Sequence, residues 1–167
     1  MMVLGYRLGM TTTVPRKVSE MMDKIIARVA MNPKLGQLVL NGARKGYKLR
    51  VIFDHRKQLR PKNSRARGMF LSHRKNDDHK ESVIWLFFSK RNLLTSAKHR
   101  SVLVHELVHY FDFDVDMKFS RHYQNYWWNK LLKLWNAKRF DLLRIERRNG
   151  RHEERARKIQ EAYMAVG

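Results

Sequence analysis

Apolar residues recur along the first half of the chain with two different periods, one typical of helices and one typical of strands. Over residues 18–29 they recur every three or four positions, as on one face of a helix, and Asn32-Pro33 ends this segment. Over residues 46–53 apolar and polar residues alternate, which predicts a strand with one buried face. Short apolar runs at 69–71 and 83–88 predict two more strands, and the second is apolar enough to be central in the sheet.

The second half of the chain has the pattern of helices. Apolar residues surround two histidines in the segment 101–112, which predicts a central, well-packed helix. Residues 123–148 contain no Pro or Gly and carry aromatic and leucine residues at helical spacing. Asn149-Gly150 breaks this pattern, and residues 150–167 are predicted to form a basic C-terminal helix.

These elements predict a single α+β domain that spans residues 1–167. It consists of an N-terminal helix, a small three-stranded sheet, the histidine-containing helix and C-terminal helices. The length of the chain and its hydrophobic content of 43% are sufficient for a real core. Residues 1–14 show no clear period and are predicted to form a flexible arm.

The central helix carries the pattern His-Glu-x-x-His at residues 105–109. Residues four apart lie on the same face of a helix, so His105 and His109 can direct two imidazole nitrogens at one cation. Zinc is the metal that this pattern favours, with each nitrogen about 2.0–2.1 Å from the ion. Glu106 stands beside the first histidine, where it can accept a proton from a water that the metal activates. The pattern therefore predicts a catalytic zinc site with Glu106 as its general base.

A catalytic zinc site needs a third protein ligand, and the residues after His109 offer several. Asp112 lies on the same helix face, but it is about 10.5 Å along the helix from His105. It is therefore better placed to accept the second ring N–H of a ligating histidine than to bind the metal. His122 follows an acidic segment long enough to bring it over the metal, and it is the predicted third ligand. Asp116 is the alternative, either as a ligand or as a second residue that supports one.

The chain is strongly basic, which predicts an anionic partner. It has 36 Lys and Arg against 15 Asp and Glu, a formal net charge of +21. Such an excess favours salt-sensitive binding to nucleic acid. Six of the cations lie in one loop between two predicted strands and are the predicted nucleic-acid contacts: Arg56, Lys57, Arg60, Lys62, Arg65 and Arg67. A merely solvated loop is the alternative interpretation of the same residues.

The absence of cysteine limits the chemistry of the site and suggests a compartment. Any metal must be bound by His, Asp or Glu, because there is no thiolate ligand. A chain without cysteine fits a reducing environment, and we expect an intracellular, cytoplasmic protein associated with nucleic acid. The longest apolar run, residues 83–88, is far shorter than a membrane span, so no membrane partner is expected.

The residues around the histidine pattern resemble those of the SprT-like and small gluzincin metallopeptidases. The shared features are His105-Glu106-Leu107-Val108-His109, a third histidine at His122, and Tyr126-Trp127 after it. The apolar strand before the helix also fits that family, and the resemblance covers roughly residues 45–136. The run His-Glu-x-x-His-x-x-Asp, in which Asp112 is the Asp, is similar to the mitochondrial intermembrane-space metallopeptidases that process an ATP synthase subunit. Both resemblances imply a zinc-dependent peptidase.

We therefore expect hydrolysis of peptide bonds, with nucleic-acid-associated proteins as the substrate class that the charge favours. A substrate strand can add to an exposed sheet edge near the site. A cation or a phenol should stabilise the developing oxyanion, and the candidates are Arg121, Tyr123 and Tyr126. The main alternative is a non-enzymatic, basic nucleic-acid-binding protein with a structural metal or histidine site. A metal-dependent nuclease is a third hypothesis, less suited to a glutamate placed between two ligating histidines.

Overall fold

Among the described residues, roughly the first half of the chain contains all four strands and two helices, and the rest contains only helices. A computed structural model describes residues 6–9, 15–44, 48–62, 64–72, 81–112 and 121–165. Within them the strands are β1 (Tyr6–Gly9), β2 (Lys48–Phe53), β3 (Gly68–Ser72) and β4 (Glu81–Leu86). The helices are α1 (Arg16–Ala30), α2 (Pro33–Arg44), α3 (Lys90–Thr95), α4 (Ala97–Tyr110), α5 (Arg121–Asn136), α6 (Phe140–Asn149) and α7 (Arg151–Ala165). The predicted α+β class is therefore confirmed.

The four strands form one mixed sheet in the order β1-β2-β4-β3. Strands β1, β2 and β4 are parallel, whereas β3 is antiparallel to β4 and lies at an edge. The sequence predicted three strands, and the fourth is β1, which lies in the segment that was expected to be an arm. A strand of four residues is too short for a period of two to stand out. Its place follows from pairing with β2, in which Tyr6 lies opposite Leu49.

Helix α4 is the central element of the fold, as the sequence predicted. It packs against α1 and α3, against β3 and β4, and most extensively against α7. Leu103, Val104, Leu107 and Val108 are all fully buried, because a helix that is apolar on several faces must be covered on each of them. The helix begins at Ser96, whose Oγ accepts a hydrogen bond from the backbone N–H of His99 at 3.4 Å.

Helix α7 is fixed to the rest of the protein at both ends. Near its start, the Arg155 guanidinium lies 2.9 Å from the fully buried carboxylate of Asp112, which follows α4. Near its end, the Arg28 guanidinium of α1 stacks 4.2 Å from the centre of the Tyr163 ring and donates to the Tyr163 carbonyl at 3.0 Å. Between these anchors the small, fully buried Ala156 lets α7 approach α4 closely.

The long helical segment predicted over residues 123–148 is divided into α5 and α6. The break is a helix C-cap in which Lys138 has a left-handed backbone, φ 55°. The amides of Lys138 and Arg139 donate to the carbonyls of Trp135 and Leu134, at 3.0 and 2.9 Å, which is the Schellman pattern. Glycine usually occupies this position, so a lysine there gave no signal in the sequence. In the described part of the chain, no helix has the length and apolar character needed to cross a membrane.

We expect Arg155→Gln to lower the free energy of unfolding of the metal-free protein by roughly 2–4 kcal/mol, because it removes the buried ion pair between Arg155 and Asp112. Urea denaturation followed by circular dichroism measures this change. The matched control is Lys158→Gln, which removes an exposed ion pair with Glu154 on the same helix and should cost less than about 0.5 kcal/mol. Equal costs for the two variants would show that the Asp112 contact does not fix α7.

Candidate metal centre

The two histidines of the sequence pattern converge on one point. His105 and His109 lie one turn apart on α4, and their Nε2 atoms are 3.1 Å from each other. Their side chains are 16% and 7% exposed, so both rings are held inside the protein and are barely accessible to solvent. The ring planes meet at 80°, which lets both nitrogens point to the same side of the helix.

A carboxylate from the last helix completes the group. Glu153, in the first turn of α7, places Oε2 3.2 Å from His105 Nε2 and Oε1 3.0 Å from His109 Nε2. Among the described residues, His105, His109 and Glu153 form a group that could hold a metal ion. We call these three residues the metal group. The third donor is thus a glutamate that lies 44 residues beyond His109 in the chain.

The donor atoms of this group lie close enough together to share one metal ion. The two Nε2 atoms are 3.1 Å apart, and each lies 3.0–3.2 Å from a different oxygen of Glu153. With one atom taken from each residue, the three donors lie within 4.8 Å of one another. Two imidazoles and one carboxylate are also a donor set that catalytic zinc uses, with a fourth position left for water or substrate.

A hydrogen-bond chain fixes the orientation of the His105 ring. Its Nδ1 lies 3.1 Å from Oε1 of Gln160 on α7. The Gln160 amide Nε2 donates to Ser101 Oγ at 3.1 Å, and Ser101 Oγ donates to the Lys98 carbonyl at 2.6 Å. Because the Gln160 amide nitrogen is already a donor, its oxygen accepts from His105 Nδ1–H. When a neutral His105 binds a metal ion, its lone pair would then be on Nε2, the nitrogen that faces Glu153 and His109.

The His109 ring is packed against a buried aromatic cluster. The His152 ring lies 5.5 Å from it, and Trp127 of α5 meets His152 edge to face at 4.5 Å. Gly150 permits this contact, since a Cβ there would lie 3.0 Å from the His152 ring. Burial, with a further contribution from His109, lowers the pKa of His152 to about 4, so this ring is neutral near pH 7.

The electrostatics of the metal-free group favour an ionised glutamate. Burial alone would raise the pKa of Glu153, but hydrogen bonds from His105 and His109 outweigh it and hold the pKa well below its usual range. Burial alone would likewise lower the pKa of His105, but Glu153, Glu106 and Gln160 outweigh it and raise the pKa. Glu153 therefore carries the negative charge that a cation ligand needs.

Glu106 is buried beside the metal group and next to the sheet edge. Its side chain is adjacent to Gly68, the first residue of β3, where a Cβ would lie 3.1 Å from Glu106 Cγ and 3.2 Å from Oε1. Burial raises the pKa of Glu106, with the nearby His109 and His105 acting in the opposite direction. A carboxylate whose pKa is raised toward neutrality is a better proton acceptor than a solvated one.

The structure places two of the remaining predicted site residues outside the metal group and does not describe the side chains of the others. Asp112 does not lie in the metal group and instead pairs with Arg155, so it supports the helix that carries Glu153. Tyr126 is 65% exposed on α5. Four predictions fall outside the described residues, namely all of Asp116 and the side chains of Arg121, His122 and Tyr123. The role of His122 as a ligand therefore stays a prediction, although Glu153 already supplies a third donor.

Glu153 and Gln160 were not predicted from the sequence, because the candidates for the third ligand were all within 17 residues of His105. The available signal was weak but present. In a chain with few acidic residues, the first turn of the final helix contains Glu153 and Glu154, shortly after Asn149-Gly150. Glu153 and Gln160, the two residues of α7 that contact His105, are seven positions apart. The buried Ala156 lies three positions after Glu153 and four before Gln160, so all three residues lie on one face of the helix.

Comparisons with protein-family models, with curated proteins and with solved structures found no match for this chain. The resemblance to SprT-like and gluzincin peptidases therefore stays a prediction.

We expect Gln160→Leu to weaken zinc binding by about 10–100-fold, the usual loss when a residue that orients a ligating histidine is removed. Leucine has a similar volume, so the packing of α7 on α4 should persist. Competition with a chromophoric chelator measures the dissociation constant. Glu161→Gln, at the exposed next position of the same helix, is the control and should bind zinc as the natural protein does. An unchanged affinity in Gln160→Leu would contradict the assigned hydrogen bond to His105.

Proposed function

We propose that this protein is a zinc-dependent peptidase. The observation that carries the proposal is the convergence of His105, His109 and Glu153, whose donor atoms lie within 4.8 Å of one another, with the buried Glu106 on the helix of the two histidines. Two histidines, a carboxylate and an adjacent glutamate supply both the ligands and the base that metal-assisted peptide hydrolysis requires. A purely structural zinc site would instead be expected to have four protein ligands.

The residues of the site have separate roles in this proposal. Zinc held by the three ligands would act as a Lewis acid, polarising the scissile carbonyl and lowering the pKa of water. Glu106 accepts the proton of the attacking water and later delivers it to the leaving amine. Gln160 keeps the Nε2 lone pair of His105 directed at the metal position, and the buried His152 packs against the His109 ring.

The sheet edge suggests where a substrate lies. Strand β3 pairs with β4 on one side and with no described strand on the other. An extended peptide can therefore add to β3 through backbone hydrogen bonds. Gly68 has no side chain to separate the start of this strand from Glu106, so a peptide bond beside Gly68 would lie near the proposed base.

The competing hypothesis is a non-enzymatic nucleic-acid-binding protein that uses the same residues as a structural site. The net charge of +21 favours such a partner but does not account for a buried glutamate between the two histidines. The two hypotheses differ in what they require of Glu106. Glu106 is essential for catalysis in a peptidase, whereas in a structural site it has no catalytic role.

We expect Glu106→Gln to retain one zinc ion per chain and to lower peptidase activity by about 10²–10⁴-fold, the range that general acid–base catalysis supplies. Metal content by atomic emission and cleavage of a fluorescein-labelled unfolded protein are measured on the same preparation. Glu154→Gln, an exposed acid on α7, is the control and should retain both properties. Full activity in Glu106→Gln would exclude the proposed mechanism.

We expect Glu153→Ala to lose both zinc and activity, because it removes one of the three donors. His122→Ala should retain zinc, since Glu153 already completes the group. Isothermal titration of the metal-free variants with zinc gives the two affinities. If His122→Ala loses zinc and Glu153→Ala keeps it, the ligand predicted from the sequence is the true one and the carboxylate ligand is wrong.

A further inference from the structure

A second candidate site lies at the opposite end of α4 from the metal group. An open pocket of about 650 Å³ is lined by the loop that joins β2 to β3, the residues that follow β4, the start of α3 and the first turn of α4. Five cationic side chains line it: Lys57, Arg60, Arg65, Arg67 and Lys98. His55 and His99 also contribute, and no carboxylate is among the described residues that line it. We call it the basic pocket.

The loop that forms most of the basic pocket is held by its own hydrogen bonds. The Asp54 carboxylate accepts from the amides of Gln58 and Leu59 at 3.1 and 2.9 Å, which closes a tight turn after β2. The Asp54 amide donates to the Leu86 carbonyl at 2.7 Å, and the Phe87 amide donates to the Arg67 carbonyl at 2.9 Å. Both ends of the loop are thus tied to the end of β4.

The charges of the basic pocket are not balanced within the described protein. None of its five cations has an ion-pair partner among the described residues, so their mutual repulsion is not offset there. Lys98 and His99 also stand in the first turn of α4, where the helix dipole disfavours cations. Burial lowers the pKa of His99, and the positive charges of Arg67 and Lys98 lower it further. A bound anion would relieve each of these unfavourable interactions.

We propose that the basic pocket binds the phosphate groups of a nucleic-acid strand. Arginine side chains match phosphate oxygens through paired N–H donors, and three of them meet here with two lysines. A volume of about 650 Å³ admits more than one phosphate group, and the net charge of +21 attracts a polyanion more strongly than a single ion. Of the six loop cations that the sequence singled out, Arg56 and Lys62 do not line the pocket, so the structure selects among them.

The basic pocket is separate from the metal group but close to the edge strand. Lys98 precedes His105 by seven residues, which is about 10 Å along α4. Arg67, which lines the pocket, immediately precedes Gly68, and Gly68 is next to Glu106. A protein carried on a bound nucleic-acid strand would thus lie near β3. This last consequence rests on the peptidase function proposed above, whereas phosphate binding does not.

The test compares two double variants of the full chain that remove the same charge. Arg65→Gln with Lys98→Gln alters the basic pocket from two different elements. Arg56→Gln with Lys62→Gln alters exposed loop positions outside it. Fluorescence anisotropy with a labelled 12-nucleotide single strand measures affinity between 50 and 200 mM salt. We expect the pocket pair to lose at least about tenfold in affinity and its salt slope to fall by about 1.4, because about 0.7 is lost per phosphate contact. The control pair should lose less than about threefold.

Inorganic pyrophosphate is the second probe, because a small phosphorylated molecule offers the same chemistry as a nucleic-acid strand. Thermal unfolding shows whether it stabilises the natural protein and the pocket pair, and also that both double variants fold. Equal losses of strand binding in the two double variants would overturn the proposal, since the attraction would then be spread over the surface. Pyrophosphate stabilisation that is lost only in the pocket pair, with equal strand binding in both pairs, would assign the pocket to a small ligand and overturn the nucleic-acid partner. Neither outcome depends on the metal or on proteolysis.

Discussion

The packing of α7 on α4 is the contact on which the candidate site depends. Helix α4 alone supplies two histidines and a glutamate to the candidate site, which is not a complete metal site. The approach of α7 brings Glu153 to both histidine Nε2 atoms and Gln160 to the other nitrogen of His105. The fully buried Ala156 lies between these two positions and allows the close approach. Tertiary packing therefore makes a metal group from residues that are far apart in the sequence.

Electrostatic forces act in opposite senses at the two ends of α4. Near its C-terminal end, Glu153 and Glu106 surround two histidines, and this local negative charge suits a cation. At its first turn, Lys98 and His99 join the loop arginines around the basic pocket, and this local positive charge suits an anion. In a protein with a net charge of +21, two glutamates thus lie where His105 and His109 converge. The same helix holds both sites in a fixed relation.

The elements that could be predicted from the sequence are those whose signal is local. The helical period of α1, the alternation in β2 and the spacing of His105 and His109 each depend on residues a few positions apart. Strand β1 was missed because four residues give no period, and its place is determined by pairing with β2. The C-cap at Lys138 was missed because the left-handed position is usually glycine.

The third donor of the candidate group was missed for a different physical reason. The reach of a side chain and the rise of a helix predicted that Asp112 is poorly placed to bind a metal, and in the structure Asp112 pairs with Arg155. The same reasoning could not find Glu153, because no local distance relates positions 109 and 153. Their proximity follows from which faces of α4 and α7 pack together. That choice depends on the whole core, including the Arg28–Tyr163 contact at the far end of α7.

Anomalous diffraction from crystals of the zinc-loaded protein would test the central claim most directly. We predict one strong zinc peak, bonded to Nε2 of His105, Nε2 of His109 and a carboxylate oxygen of Glu153, with a fourth position open to water. A zinc ion bonded to His122 in place of Glu153, or a peak located away from α4, would contradict the proposed site.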